Sequence, residues 1–172
     1  MEKDVIEAVR SELREAADEK TKIGFARFFK EEAVFYGVKS ATVDRIAAKY
    51  YPEIKPWGKK AIFNLCEELL KSDYSEEAMI AFSWSYRLHK EYSEEDFAIF
   101  EGWLLKYVNN WAKCDTLCNH TIASLVEKYP EYIENLKQWT KSDNRWLRRA
   151  AAVTLIIPAK EGKFLDRTHP FQ

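Results

Sequence analysis

The sequence predicts an all-α fold built from antiparallel helix pairs, and three observations carry that expectation. Apolar residues recur at three- and four-residue spacing along almost the whole chain, and the breaks fall at residues that start or stop helices. Five Gly and five Pro in 172 residues amount to about half the usual combined share, so turn-rich all-β folds are excluded.

The elements follow in order. A first helix is expected from Lys3 to Asp18 and a second from Lys20 to Lys30, with Phe25, Phe28 and Phe29 packed along it. After the turn EEAVFYGVKS, Ser40 caps a third helix over Ala41 to Tyr50, which Pro52 and Pro56 stop by removing donors and restricting the residues before them. A fourth runs from Trp57 to Lys71. Ser75-Glu-Glu and Ser93-Glu-Glu-Asp each place a capping hydroxyl before acids suited to a helix N-terminus, opening helices over Glu76 to Lys90 and Glu94 to Val108. Further helices are expected over Trp111 to Lys128, Pro130 to Lys141 and Asn144 to Ile157, with Pro158 closing the last. About nine helices with short connections fit an α-solenoid of HEAT-like repeats, with an irregular helical bundle as the alternative.

Composition bounds the function. A hydrophobic share of 47% with 32% charged residues describes a folded chain, and no apolar stretch is long enough to cross a membrane. The chain reads as one domain spanning 1–172. An odd count of three Cys and no apolar leader point to a cytoplasmic protein with reduced thiols. Net charge is -1, but its distribution is polarised. From Cys66 to Glu101, ten acidic residues face three basic ones; from Lys137 to Arg167, eight basic residues face three acidic ones.

The densest run of reactive side chains is NNWAKCDTLCNH, Asn109 to His120. Trp111 and Asp115 are four apart, so on a helix the indole and the carboxylate share a face one turn apart. Alone, that spacing is more often a core tryptophan beside an aspartate. In DNRWLRRAAAV, Asp143 to Val153, Arg145, Arg148 and Arg149 form one cationic stripe near Trp146, suited to clamping a phosphate backbone or, equally, to a solvated helix face. Cys114, Cys118 and His120 have the wrong spacing for a zinc site, and no metal is expected. His89 and His169 are isolated, and without a glycine-rich phosphate loop no nucleotide hydrolysis is expected. Trp57, Trp84, Trp103 and Trp139 read as packing residues.

FARFFK (Phe25 to Lys30), the FYGV turn followed by a helix ending RIAAKYY, NWAKCD (Asn110 to Asp115) and SDNRWLRRAAAV (Ser142 to Val153) occur in an order and spacing that resemble the DNA alkylation repair enzymes, the AlkD-like alkylpurine glycosylases of HEAT-like repeats. The resemblance implies a superhelix with a concave basic face that holds duplex DNA. It also implies cofactor-free hydrolysis of the N-glycosidic bond of cationic alkylpurines, such as 3-methyladenine and 7-methylguanine, without base flipping. By position, Asp115 matches the family's catalytic carboxylate, Trp111 the aromatic on the lesion's sugar and Arg149 the site arginine. Arg145, Arg148, Lys113 and Phe28 are carried as DNA contacts, Phe28 falling where some members have Tyr.

Family chains continue through more helices, one supplying a second site Trp. Here the chain ends in RTHPFQ, so a C-terminally shortened member is expected, with an uncapped end that a second copy would cover. The rival reading is a non-catalytic helical-repeat scaffold that binds DNA or protein. Asp115 opening beside Arg145 and Arg149 favours the enzyme; Asp115 buried behind Trp111 favours the scaffold.

Overall fold

A computed structural model describes residues 2–166, and the RTHPFQ end with Arg167, His169 and Pro170 lies outside the described residues. The all-α expectation holds: the described residues form helices and turns, joined by one isolated bridge between Val34 and Tyr74. The chain divides into two compact units, Met1–Leu88 and His89–Gln172.

In the first unit, α1 (Glu2–Glu15), α3 (Ser40–Ile54), α4 (Lys59–Leu70) and α5 (Ser75–Arg87) pack on one another, and α2 (Glu19–Ala26) lies at the surface with no buried residue. Val9, Leu13, Ile46, Ile62, Leu69 and Phe82 fill the core. Trp84 is buried there and donates its indole N–H to the Ala47 carbonyl at 2.9 Å, which satisfies the one polar atom its burial would otherwise strand.

The FYGV turn is set by two residues far along the chain. Glu76, buried at the start of α5, accepts the backbone N–H groups of Tyr36, Gly37 and Val38 at 3.1, 2.9 and 3.0 Å. Glu77, also buried, accepts Arg10 Nε and Nη2 of α1 and the Tyr36 hydroxyl at 2.7 Å. These acids therefore tie α1, the turn and α5 together, where the sequence suggested only a favourable helix-dipole charge. Gly37 has φ +94, and an added Cβ would lie 2.5 Å from the Asp18 carbonyl, so the turn needs glycine on two counts.

Several expected helix boundaries are corrected. Ser40 and Ser75 are the first residues of their helices, and neither N-cap position makes a side-chain capping bond. The next helix, α6 (Asp96–Tyr107), begins two residues later than expected, and Asp96 accepts the Ser93 N–H at 2.8 Å. Pro52 lies inside α3; the carbonyl it deprives of a donor, that of Ala48, belongs to an exposed residue, while buried Tyr51 and Ile54 hold the last turn. In α2, Asp18 caps Thr21 at 2.7 Å, the helix stops at Ala26, and Phe25 and Phe29 tilt against Phe35. Phe28, expected to pack with them, is 74% exposed.

In the second unit, α6 is followed by one continuous helical run: α7 (Trp111–Thr116), a π-helical turn (Leu117–Ile122) and α8 (Ala123–Lys128). Then come α9 (Ile133–Trp139), α10 (Arg145–Val153) and α11 (Ile156–Lys160). The α10 helix packs against α6, α7 and α9. Trp103 and Trp139 are buried as expected, Trp139 donating to Glu101 Oε1 at 2.7 Å, while Trp57 of the first unit is half-buried. Pro158 does not close a helix running to Ile157. It cannot donate to the carbonyl four residues back, so the run breaks after Val153, and Pro158 sits in the first turn of α11.

Candidate active site

The second unit brings together the two segments singled out in the sequence. Asn110 is fully buried at the N-cap of α7 and accepts the Lys113 backbone N–H at 3.0 Å. Asn109 Oδ1 accepts the Lys113 ammonium at 3.1 Å and the Asn110 amide at 3.4 Å. This cluster fixes where the helix begins, and so where its first residue points. Trp111 leaves that start 39% exposed, and Asp115 follows one turn later on the same face.

Asn144 plays the matching part for α10, accepting the Trp146 N–H at 2.8 Å. The small residues Ala150 and Ala151 are buried, as close helix packing requires, and α10 lies against α7. Cys114 at the contact sits 3.6 Å from the Trp146 carbonyl. The approach carries Arg149 onto Asp115, with Nε on Oδ1 and Nη2 on Oδ2, both at 2.7 Å. This is a fork-to-fork pair, and the bond to Asp115 pushes the Arg149 guanidinium further above its ordinary pKa. Both partners reach solvent, the Arg149 side chain 43% exposed and that of Asp115 27%. Asp115 is thus open beside Arg149 and is not sealed behind Trp111.

The three arginines do separate jobs. Arg149 holds Asp115; Arg148 turns back to donate Nη1 to the carbonyls of Ser142 and Asp143 at 2.6 and 2.9 Å; Arg145 lies over the Trp146 ring at 4.3 Å. All three are exposed. Lys113 departs from the surface role expected of it: the residue is 1% exposed and its ammonium serves the Asn109 turn, since its place in α7 points it inward, between Trp111 and Asp115 on the outer face. Phe28 belongs to the first unit, at the surface just after α2.

Cys114 and Cys118 are buried, and burial first, then the neighbouring Cys114 thiol, drives the Cys118 thiol well above its ordinary pKa. His120 lies at the surface of the π-helical turn. That turn was not visible in the apolar spacing. It inserts an extra residue right after Asp115 and Thr116, so the helix can present Asp115 outward and still bury Leu117, Cys118 and Ile122. The signal for Asn110, by contrast, was in plain sight: an Asn directly before an apolar run is an N-cap.

No helix among the described residues is long and apolar enough to cross a membrane. A search of the curated proteins finds none that matches the chain. The family model described as DNA alkylation repair enzyme matches residues 9–170, a span that takes in the FYGV turn, the Trp111 and Asp115 helix and the arginine helix. The chain belongs to the DNA alkylation repair enzyme family.

Proposed function

We propose that this protein is a DNA glycosylase that hydrolyses the N-glycosidic bond of cationic alkylpurines, such as 3-methyladenine and 7-methylguanine, in duplex DNA, with Asp115 as the reacting carboxylate. The observation that carries the reading is a solvent-reaching carboxylate at Asp115, one turn from the exposed indole of Trp111 and beside Arg149. Family membership supports alkylated DNA as the substrate.

The chemistry asks little of the protein. A positively charged purine departs with the bonding electron pair and becomes neutral, so no general acid is needed. Positive charge then builds on the sugar, and water forms the new bond to C1′ while losing a proton. An ionised Asp115 opposes the developing charge and orients that water, the logic by which carboxylates stabilise oxocarbenium states in glycoside hydrolysis. The Trp111 face adds cation-π attraction of about 0.5 to 2 kcal/mol for the charged nucleotide. Arg149 and Arg145, on the exposed face of α10, are the phosphate contacts; Lys113 instead shapes the helix start. Reaction with the nucleotide still in the duplex, without base flipping, suits a site that is an open helix face.

A second reading, a non-catalytic binding scaffold, draws on one observation: both Asp115 oxygens are engaged by Arg149. Release of free 7-methylguanine from methylated duplex, compared between wild type and Asp115→Asn, decides between them.

A further inference from the structure

The Asp115 and Arg149 pair poses a problem for any reaction that uses the carboxylate. A fork-to-fork pair neutralises Asp115 and occupies one in-plane lone pair on each of its two oxygens. A cation forming beside Asp115 would feel the guanidinium as well, and a repelling charge about twice as far away cancels roughly half of the attraction. The pair nevertheless sits half in solvent, where such contacts are exchangeable. Arg149 also keeps Nη1 clear of the pair, since only Nε and Nη2 bond Asp115, so a second anion can bind before the first is released.

We propose that a DNA phosphate displaces Asp115 from Arg149, so that the carboxylate is paired in the free protein and is unmasked by duplex binding. The inference rests on the glycosylase reading above and deepens it by assigning Arg149 two successive partners. Arg149 offers the same planar fork to a phosphodiester as to a carboxylate. Its neighbours favour the exchange: Arg145 and Arg148 are exposed on the same helix, so α10 gathers phosphate, whereas Asp115 is the acidic group that a polyanion repels. The consequence is selectivity in time. The carboxylate reaches full strength only when DNA is in place, and Arg149 is a positioning residue whose loss weakens binding more than it slows chemistry.

Two readouts test this. The first follows the Arg149 side-chain Nε–H by nitrogen-15 NMR, assigned with Arg149→Gln, in wild type and Asp115→Asn, each free and saturated with unmodified duplex. Exchange predicts that the two proteins differ when free and converge when bound. A wild-type resonance that keeps its free position in the bound state would overturn the proposal while leaving the glycosylase reading standing. Failure of duplex to bind at all would refute both.

The second is single-turnover release of 7-methylguanine by Arg149→Gln. The expected split is an affinity loss of about tenfold or more at moderate salt, larger than the accompanying loss of rate at saturating protein. A saturated rate down by a hundredfold, with affinity unchanged, would show that Arg149 must stay on Asp115 and would overturn the exchange.

Discussion

Arg149 on α10 meets Asp115 on α7 through two parallel bonds of 2.7 Å, joining across the second unit the two segments that the sequence marked 34 residues apart. The contact brings a carboxylate and a guanidinium together one helical turn from the exposed indole of Trp111.

The contact is not a major source of stability. Both side chains reach solvent, and such pairs contribute at most about 1 kcal/mol. Asp115→Asn is therefore expected to lower the unfolding free energy measured in urea by no more than that. A loss of several kcal/mol would show that the pair holds α7 to α10.

Asn110 is a stronger structural lever than Asp115. Replacing this buried cap by Ala removes the acceptor for the Lys113 N–H and the donor to Asn109, at a cost of about 1 to 2 kcal/mol. Release of alkylpurine should fall with it, since Trp111 is the first residue of that helix. Asn110→Asp keeps the capping oxygen and is expected to lose less. Equal denaturation curves for wild type and Asn110→Ala would remove this account of the site's foundation.

Gly37→Ala tests the turn that Glu76 and Asp18 surround. With φ at +94 and the Asp18 carbonyl 2.5 Å from the new Cβ, the substitution is expected to cost about 2 kcal/mol or more in the first unit. Chemical denaturation reads it directly, and an unchanged midpoint would contradict the geometry.

Acid sensitivity has an identifiable contributor in the first unit. Hydrogen bonds from Lys49 and Tyr50 hold the Glu12 carboxyl below its ordinary value of 4.5. A group with a depressed folded-state pKa contributes stability above its unfolded pKa and loses it as pH falls through the folded one. The stability difference between wild type and Glu12→Gln should thus be present at pH 6 and shrink below about pH 4.5. Lys49 is exposed and Glu12 reaches solvent, so the difference is small. A difference that grows on acidification would reverse the assignment.

The cysteines are expected to be silent in the folded protein. All three are buried, and burial raises the Cys66 and Cys118 thiols. An aromatic disulfide reagent should label none at neutral pH and all three in denaturant. Rapid labelling of Cys114 or Cys118 in the native state would mean that the α7 and α10 contact opens readily.

What the sequence revealed and what it hid divide along physical lines. Helix identity was legible because apolar periodicity reports directly on a buried face, and Trp111 with Asp115 was legible because a four-residue spacing survives in any helix that begins where Asn110 begins it. Lys113 was carried as a DNA contact by position alone, which does not report that helical phase turns it inward to Asn109. The arginine stripe looked uniform because spacing records only the helix face; what divides the three is the partner each reaches, the Trp146 ring for Arg145, the carbonyls just before the helix for Arg148 and Asp115 of another helix for Arg149. Glu76 and Glu77 were likewise explained by their own helix, while their partners lie about 40 and 67 residues away. The π-helical turn left no trace in the apolar spacing, since Leu117, Cys118 and Ile122 are buried there as they would be in an ordinary helix.

On the glycosylase reading proposed above, Asp115 drives cleavage of the glycosidic bond in alkylated DNA. The most direct test is the single-turnover release of 7-methylguanine from methylated duplex by wild type and Asp115→Asn, with duplex binding measured in parallel. Release by wild type and a drop of about a hundredfold or more in the variant are expected, with binding retained. Bound duplex with no release by wild type, or equal release by the two proteins, would contradict it.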